Sequence, residues 1–530
     1  MTPDLRGFEL DGDIGAPDPV SAVLDGLGQA FGIATEPGAP GSGARQHTWL
    51  DTCDWRLYRA GLVLEYEHTR RGGRLLLSRD EVLQAEQPVE SWRASRPRLA
   101  EDLPAGPVRD QILKLASPRA LLPMATAAGA VTVTRLLNAD GKTVARLIVD
   151  RATVTRADQT VPLPPRLAIT EVRGYLSQAR RAARLLADAP GVAPARQSAF
   201  LAALHALGRH PNDYSGGVSA DITAQMPAPV AVATLLLGLL DTLEQNVDGT
   251  LRDIDTEFLH DLRVAVRRTR SAIKLLGDML PDRVAASYAA EFKWLGDLTT
   301  PVRDLDVHLL GFRGMTAQLV AASSADLEPF RAFLVRRRAR EFRLLAAGLR
   351  SARFRAITEH WRKALLEVRD AGRPAKRRGV TADDLAVTRT ARAFRRVAAQ
   401  GSAITAASAP ESLHDLRKRC KELRYVLEFF APLHDPVAYR KVLGDLKQLQ
   451  DCLGEFQDSQ VQREEIHALA DAMLADHAAP AATLLAMGEI AANLARSQAE
   501  ARAEFAQRFA RFAGSAGQQR FHDLLDRPRP

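Results

Sequence analysis

The sequence has 530 residues, of which 46% are hydrophobic and 26% are charged, and its formal net charge at pH 7 is +8. This length exceeds what one hydrophobic core supports, so we expect two to four domains. A charge of +8 is small for such a chain, so overall basicity does not identify a nucleic-acid-binding protein. Residues 331–401 hold 20 Lys and Arg against 6 Asp and Glu, an excess larger than that of the whole chain.

Three cysteines, Cys53, Cys420 and Cys452, lie far apart and fit neither a disulfide framework nor a zinc pattern. The first residues include acids where a signal peptide needs a basic and then an apolar run. The longest apolar stretch, which begins at Val230, is too short to span a bilayer. We therefore expect a cytoplasmic protein that has no membrane partner.

Residues 1–208 have the pattern of a β-rich domain. Short runs of β-branched residues begin at Arg74, Ala130, Thr143 and Arg166, and "NADGK" at Asn138 is typical of a hairpin turn. Two segments, near residues 19–31 and 175–189, have helical periodicity. The pattern predicts an α+β domain built on an antiparallel sheet.

Residues 209–226 are rich in Gly, Pro, Asn, Asp and Ser and predict a linker. Helical periodicity then continues over residues 227–515, before a short tail at 516–530. Prolines such as Pro301 are expected to separate the helices. The pattern predicts an all-α domain of about ten helices.

An internal repeat runs through the helical half. The stretch "LHDLRVAVRRTRSAIKLL" begins at Leu259, and "LHDLRKRCKELRYVLEFF" begins 154 positions later. The same offset relates Lys293 to Lys447 and Asp304 to Asp458, without a gap. A register kept over nearly fifty residues indicates a duplication, so we expect two similar helical bundles related by a pseudo-two-fold axis.

A basic stripe follows each copy of the repeated helix at spacings of three and four, which confines it to about 80° of the helix surface. This stripe lies about a quarter turn from the apolar stripe, whereas a solvated face normally lies opposite the core. The first copy has no acid between Asp261 and Asp278 to relieve the repulsion. We therefore favour an anion-binding face over a solvated one. The stripes comprise His260, Arg263, Arg267, Arg270 and Lys274, then His414, Arg417, Lys421 and Arg424, with Lys418 and Tyr425 beside them.

The residue types indicate which anion these stripes would bind. Arginine offers a planar fork to phosphate oxygens, and cations about 5.4 Å apart suit a chain of phosphates. Aromatic residues that would stack on bases are almost absent, which disfavours nucleic acid. Inorganic polyphosphate is the polyanion that fits. His260 and His414 lack a second ligand at metal-binding spacing, and either a phosphate contact or a hydrogen bond anchoring the helix start would explain them.

Further charged residues have two interpretations each. Asp304 and Asp458 are expected near helix starts, either as N-caps or as partners that orient a basic residue. A second set of basic residues either extends the basic surface or forms solvated helix faces. This secondary basic surface comprises Arg336, Arg340, Arg343, Arg389 and Arg396.

The repeated stretches, together with "LGDLTTPVRDLDVH" and "LQDCLGEFQDSQV", resemble the CHAD family over about residues 225–515. The resemblance implies two four-helix bundles around a basic central cavity that binds polyphosphate, with association with polyphosphate granules and their proteins. The stripe residues, with Lys293 and Lys447, would line that cavity.

The N-terminal half resembles a CYTH domain, the triphosphate tunnel fold, over about residues 5–208. The resemblance rests on "WLDTCDWRLYRAGLVLEY", with weaker support from "LIVDRATV", "ITEVRGY" and "ARQSAF". The family begins with Glu-x-Glu-x-Lys, whereas this chain has Glu9, Asp11 and Asp13. Glu65 and Glu67 also stand where the family places basic residues, and Arg79 is a candidate substitute for a missing lysine. We therefore expect a degenerate, catalytically silent tunnel that serves as a structural or recruiting module.

Three hypotheses follow. The leading one is a non-catalytic polyphosphate-binding protein that needs no cofactor. The second is a metal-dependent triphosphatase in which Glu9, Asp11 and Glu171 would hold Mg²⁺ or Mn²⁺. The third, which we disfavour, is a nucleic-acid-binding protein.

Overall fold

The computed structural model describes residues 7–10, 19–35, 43–69, 72–89, 96–156, 159–214, 216, 221–371 and 379–526. The chain divides into two compact units, Met1–Ser215 and Gly216–Pro530. The first unit is a sheet with flanking helices, and the second is helical.

The described residues of the first unit form twelve strands, five α-helices and a short 3₁₀-helix at Ala100–Asp102. The strands are β1 (Phe8–Leu10), β2 (Gly32–Thr35), β3 (Gly43–Asp51), β4 (Val63–Thr69), β5 (Gly72–Arg79), β6 (Val82–Val89), β7 (Arg98–Leu99), β8 (Ala120–Leu137), β9 (Thr143–Arg156), β10 (Gln159–Pro162), β11 (Arg166–Glu171) and β12 (Val192–Pro194). The helices are α1 (Pro19–Gly28), α2 (Arg56–Arg59), α3 (Pro107–Ala116), α4 (Leu176–Ala187) and α5 (Ala199–Ala206).

All the strand pairs are antiparallel, as the sequence predicts for this half. The strand order is β12-β1-β11-β9-β8-β3-β4-β5-β6, with β10 beside β9, and with β2 and β7 beside β8. The predicted hairpin joins β8 to β9, where Asn138 N–H donates to the Lys142 carbonyl at 3.0 Å and Gly141 has a φ of +73°. Glycine tolerates that left-handed conformation, which explains its position in the turn.

The described part of the second unit contains eleven α-helices. They are α6 (Ala228–Gln245), α7 (Val247–Leu251), α8 (Thr256–Leu276), α9 (Asp282–Ala317), α10 (Glu328–Leu349), α11 (Ala352–Ala371), α12 (Ala382–Ser402), α13 (Pro410–Phe429), α14 (Pro436–Ala475), α15 (Ala481–Ala513) and α16 (Ser515–Leu525).

The repeat of 154 residues is visible in the helix boundaries. Helices α6, α8 and α9 begin 154 positions before α12, α13 and α14 respectively. Between the copies, Pro227 forms a β-bridge with Thr381, its own equivalent. Ala228 N–H donates to the Val380 carbonyl at 3.0 Å, and the equivalent Ala382 N–H donates to the Met226 carbonyl at 2.8 Å. Reciprocal contacts of this kind define a two-fold relation, so the pseudo-two-fold axis passes through this bridge.

Three hydrophobic clusters hold the helices together. The first joins α6, α8, α9 and α11 with parts of α10, α12 and α13, and it includes Trp361, which is fully buried. The second joins α12 to α16, and the third lies where the distal parts of α9 and α14 pack with α10 and α15. The two repeated helices α8 and α13 also contact each other, which brings their basic stripes onto one region of the surface.

One helical stretch of the described residues, Ala228–Leu251, is long and apolar enough to cross a membrane by length and composition. The stretch is 24 residues long and therefore extends beyond the apolar run that begins at Val230, so the expectation that this segment is too short to span a bilayer is wrong. Of its most apolar window, 61% is buried within the unit, where its leucines join the first cluster. Burial in that cluster accounts for its composition.

The expected helix break at Pro301 is wrong, because α9 continues through this residue. A proline inside a helix removes one backbone hydrogen bond. Here the carbonyl that loses its partner belongs to Asp297, an exposed residue. Water can therefore reach this carbonyl in place of the missing N–H.

Candidate functional site

Helices α8 and α13 place four cations around two adjoining cavities. One cavity has a volume of about 370 Å³ and the other about 350 Å³, and both are lined by Arg267, Arg417 and Lys421. Arg263 lines the first of them. Arg263 and Arg417 are equivalent in the repeat, as are Arg267 and Lys421, so these four residues form a pseudo-symmetric set. We call it the cation quartet.

Two members of the quartet are oriented by acids at equivalent positions. Arg417 Nη2 lies 2.8 Å from Asp458 Oδ1, and Arg263 Nη2 lies 3.9 Å from Asp304 Oδ1. Arg263 also donates to the Thr300 hydroxyl. Both acids lie well inside α9 and α14, so their interpretation as N-caps is wrong and their role as partners of a basic residue is confirmed.

The other two members, Arg267 and Lys421, form no ion pair within the described parts of the chain. The pKa of Lys421 is lowered to about 8, first by burial and then by the charges of Arg417 and Arg267, whereas Asp458 opposes the shift. The pKa of Arg263 is also lowered, first by burial and then, against the effect of Asp304, by Arg267, Arg303 and Arg270. Excess positive charge is therefore held together at the junction of the cavities, where an anion would relieve the repulsion.

Ion pairs between the two copies fix how α8 and α13 face each other. Arg268 Nη2 lies 3.0 Å from Glu428 Oε2, and Lys274 Nζ lies 2.7 Å from Glu422 Oε1. In the repeat, position 268 is equivalent to 422, and position 274 is equivalent to 428. The two ion pairs therefore join the same two positions in both directions across the pseudo-two-fold axis, with the cations on α8 and the acids on α13. Glu428 Oε1 also accepts from Arg424 Nε at 2.6 Å, which neutralises a residue of the predicted stripe.

Several lining residues were missed from the sequence. Arg268 and Gln450 line the cavity of 350 Å³, and Arg303 and His308 line that of 370 Å³. Neither side-chain amide atom of Gln450 has a hydrogen-bond partner among the described residues, so its Nε2 can donate to a bound anion. The sequence did contain one usable signal for Arg268, because its repeat equivalent, Glu422, has the opposite charge.

The remaining stripe residues divide into three groups. His260 and Tyr425 line the cavities of 370 and 350 Å³ respectively, and Arg424 lines the latter. A third cavity of about 790 Å³ is lined by the cations Arg267, Arg270, Lys274 and Lys293. His414, Lys418 and Lys447 lie outside the lining of all three cavities, and Lys418 Nζ is instead 2.5 Å from Asp415 Oδ1.

The secondary basic surface does not join this site as one group. Arg336, Arg340 and Arg343 are exposed on α10, and Arg396 is exposed on α12. Arg389 is instead paired with Asp278, and its side chain is largely buried. The three arginines of α10 therefore form a cluster of positive charge that faces solvent on a single helix.

Two of the acids considered for a metal in the sheet, Glu9 and Glu171, are not brought together. In the strand register, Glu9 of β1 lies opposite Arg166 of β11. Glu171 lies five positions further along β11, which places its backbone about 16 Å from that of Arg166 at the rise of a strand. Asp11 and Asp13 lie outside the described residues. Within the described residues, no group of three or more His, Cys, Asp or Glu side chains has the geometry of a metal site.

Carboxylates neutralise the cations of the central strands. The buried Glu67 binds Arg74, and its Oε1 lies 2.8 Å from Arg45 Nε. His47 Nδ1 lies 2.5 Å from Glu65 Oε1, and the pKa of His47 is raised by Glu65, Asp150 and Glu67 in spite of an opposing effect of burial. Arg79 is exposed at the end of β5. The two glutamates that depart from the tunnel pattern therefore form internal ion pairs.

A comparison with curated protein sequences found no match. Among solved structures, the CHAD domain from the plant Ricinus communis aligns with a TM-score of 0.43 and 22% identity, over 58% of this chain and 96% of its own. PptA from Streptomyces chartreusis aligns with a TM-score of 0.42 and 15% identity, over 53% of this chain and 99% of its own.

Residues 234–467 match the sequence profile of the CHAD domain. The match extends from α6 into α14 and therefore includes the whole of the repeated helices α8 and α13. It also includes every member of the cation quartet. Residues 234–467 of the helical half therefore match the CHAD domain, in agreement with the resemblance of the repeated motifs.

Proposed function

We propose that the helical half binds inorganic polyphosphate at the cation quartet and that it does so without catalysing a reaction. The observation that carries the proposal is the pair of equivalent cations, Arg267 and Lys421, which face the junction of two cavities without an acid partner among the described residues. Holding these charges together costs free energy, and a bound polyanion would recover it.

The symmetry of the quartet supports polyphosphate over nucleic acid. A linear polyphosphate reads the same from either end, so it presents identical groups to two sites related by a two-fold axis. A nucleic-acid strand has a direction and carries bases, which require stacking surfaces. Tyr425 is an aromatic residue of the stripes, and it is buried against Phe429 with the two rings stacked at 6.1 Å. It therefore does not offer an open stacking face.

The contacts within the sheet support a non-catalytic first half. Phosphate transfer needs cations that are free to hold the phosphates, together with carboxylates that hold a metal ion. Arg45, Arg74 and His47 are instead tied to Glu65 and Glu67. We expect no Mg²⁺- or Mn²⁺-dependent release of phosphate from tripolyphosphate, and release that is lost in Glu9→Ala would contradict this part of the proposal.

Retention of the full-length chain on immobilised polyphosphate tests the site. The triple variant Arg263→Ala/Arg267→Ala/Arg417→Ala should lose retention, because Asp304 and Asp458 then face the cavities without their partners. The matched control, Arg336→Ala/Arg340→Ala/Arg343→Ala, also removes three positive charges but takes them from the exposed face of α10. Equal losses in the two variants would show that net charge, rather than the quartet, is responsible for retention.

Two further arms address the alternatives. Duplex and single-stranded DNA at equal phosphate concentration should fail to displace polyphosphate, and displacement would favour a nucleic-acid-binding protein. In cells, we expect a fluorescent fusion to associate with polyphosphate granules and the quartet variant to remain diffuse. Granule association that is unchanged in the variant would indicate recruitment through another surface.

A further inference from the structure

The path along α8 does not end at the quartet. Arg267 lines the third cavity as well as the two central ones, so the cavity of 790 Å³ adjoins the site at this side chain. The third cavity lies between α8 and α9 and adds three further cations, Arg270, Lys274 and Lys293. Lys274 is paired with Glu422, and Lys293 is paired with Asp297 on its own helix at 2.7 Å. Acids also line it, but one of these, Asp278, is already paired with Arg389.

The second copy has larger side chains at the corresponding positions. The third cavity is lined by Ala285, Ala286 and Ala289, three small residues of α9. Their repeat equivalents on α14 are Tyr439, Arg440 and Leu443. Tyr439 packs against the core of its own bundle and stacks on His434 with ring centres 5.9 Å apart. The space that alanines leave beside the first stripe is therefore occupied beside the second.

One pair of equivalent arginines, Arg270 and Arg424, differs between the copies in the same direction. Arg270 forms no ion pair within the described residues, and its Nη1 lies 2.7 Å from the point that a Cβ at Gly296 would occupy. Its guanidinium is thus seated against α9 where the absence of a side chain makes room. The equivalent Arg424 is neutralised by Glu428, and Gln450 stands in place of Gly296. The third cavity therefore combines open space with an arginine whose charge acts on Asp297 without a direct ion pair, whereas the equivalent Arg424 is paired.

From these differences we infer that polyphosphate leaves the quartet on one side, along α8 and α9 through the third cavity, and not along α13 and α14. This inference rests on the proposed function. It divides the site into a symmetric centre, which accepts any short run of phosphates, and a one-sided extension that only longer chains reach.

Two charge variants test the direction of the path. Arg270→Ala/Lys293→Ala removes cations from the third cavity, and Arg440→Ala/Lys447→Ala removes two exposed cations of α14, in the second copy, that lie outside all three cavities. With the full-length chain at fixed salt, the first variant should bind long-chain polyphosphate about tenfold more weakly, as expected for the loss of two phosphate contacts. It should bind tripolyphosphate as the unmodified chain does, and the second variant should change neither affinity by more than about twofold.

A steric variant tests the same path without changing charge. Ala285→Tyr/Ala289→Leu introduces the residues of the second copy into the third cavity and should weaken binding of long chains but not of tripolyphosphate. Circular dichroism shows whether each variant is folded. If the steric variant is unfolded, the two charge variants alone decide the direction of the path.

The outcomes separate this inference from the proposed function. Equal losses in the two charge variants, or an equal loss of tripolyphosphate and long-chain binding in Arg270→Ala/Lys293→Ala, would overturn the one-sided path and leave the quartet in place. Absence of polyphosphate binding by the unmodified chain would overturn both.

Discussion

Raising the pH from 7 to 9 should weaken polyphosphate binding through one residue, Lys421. Its pKa of about 8 in the free protein means that it is about 90% protonated at pH 7 and about 10% protonated at pH 9. A phosphate bound at the junction of the cavities favours the charged form and raises this pKa again. If binding restores the ordinary value of 10.5, the affinity falls about tenfold between pH 7 and pH 9.

The same shift predicts that binding takes up protons. At pH 8 about half of the Lys421 side chains are neutral before binding, so the complex takes up about 0.5 proton, rising to about 0.9 at pH 9. Isothermal titration calorimetry in two buffers with different ionisation enthalpies measures this uptake directly. The second proton of a terminal phosphate leaves near pH 6, so the ligand itself changes little in this range.

Substitution of Lys421 shows whether this residue causes the effect. Lys421→Arg keeps the charge at all of these pH values, and its repeat equivalent, Arg267, shows that the cavities accommodate arginine. We expect a flat affinity profile and no proton uptake in this variant, and weak, equally flat binding in Lys421→Met. A tenfold decline that persists in Lys421→Arg would refute the reasoning.

Three further predictions concern charge balance and stability. Glu428→Gln frees Arg268 and Arg424 in the cavity of 350 Å³, so affinity for polyphosphate at fixed salt should rise several-fold, while unchanged affinity would mean that these arginines do not reach the ligand. The double variant Arg267→Ala/Lys421→Ala should reduce the slope of log affinity against log salt by about 1.4, from about 0.7 per lost contact with a single-stranded polyanion, and an unchanged slope would exclude direct contacts. Trp361→Ala, at a fully buried position of the first cluster, should lower the free energy of unfolding by about 3–5 kcal/mol in chemical denaturation, whereas a loss below about 1 kcal/mol would indicate that the cluster repacks.

The sequence predicted the centre of the candidate site because repetition carries spatial information. Two copies of one helix at a constant offset had to adopt the same local structure, and the angle between the basic and apolar stripes placed the cations beside the core. The structure brings Arg263, Arg267, Arg417 and Lys421 together in agreement with that argument. Their contact with polyphosphate remains a prediction.

The sequence could not reveal which residues of one copy face which residues of the other. Arg268 lies outside the basic stripe, and its partner Glu428 follows 160 positions later, so only the packing of α8 on α13 joins them. Gln450 contributes a donor to the cavity from a third helix, where no local pattern distinguishes it from a solvated residue. The break expected at Pro301 is a rule that holds for most helices but not for α9.

The sheet shows the same limit. The alternating pattern indicated strands, but the ion pairs of Glu67 with Arg45 and Arg74 depend on the register of three strands. Glu65 and Glu67 could be identified as departures from a tunnel pattern, whereas their partners could not. Register is set by the hydrogen bonding of whole strands, which no short motif encodes.

The reciprocal ion pairs between α8 and α13 have a consequence for how such a molecule could arise. If either copy paired with an identical copy across the same two-fold axis, Arg268 would meet Lys274 twice, or Glu422 would meet Glu428 twice. Like charges would oppose each other at both ends of the contact. The charges of the first copy are thus complementary to those of the second copy, whereas two identical copies would repel each other. Joining them in one chain gives every half a complementary neighbour at high effective concentration and disfavours assemblies of like halves.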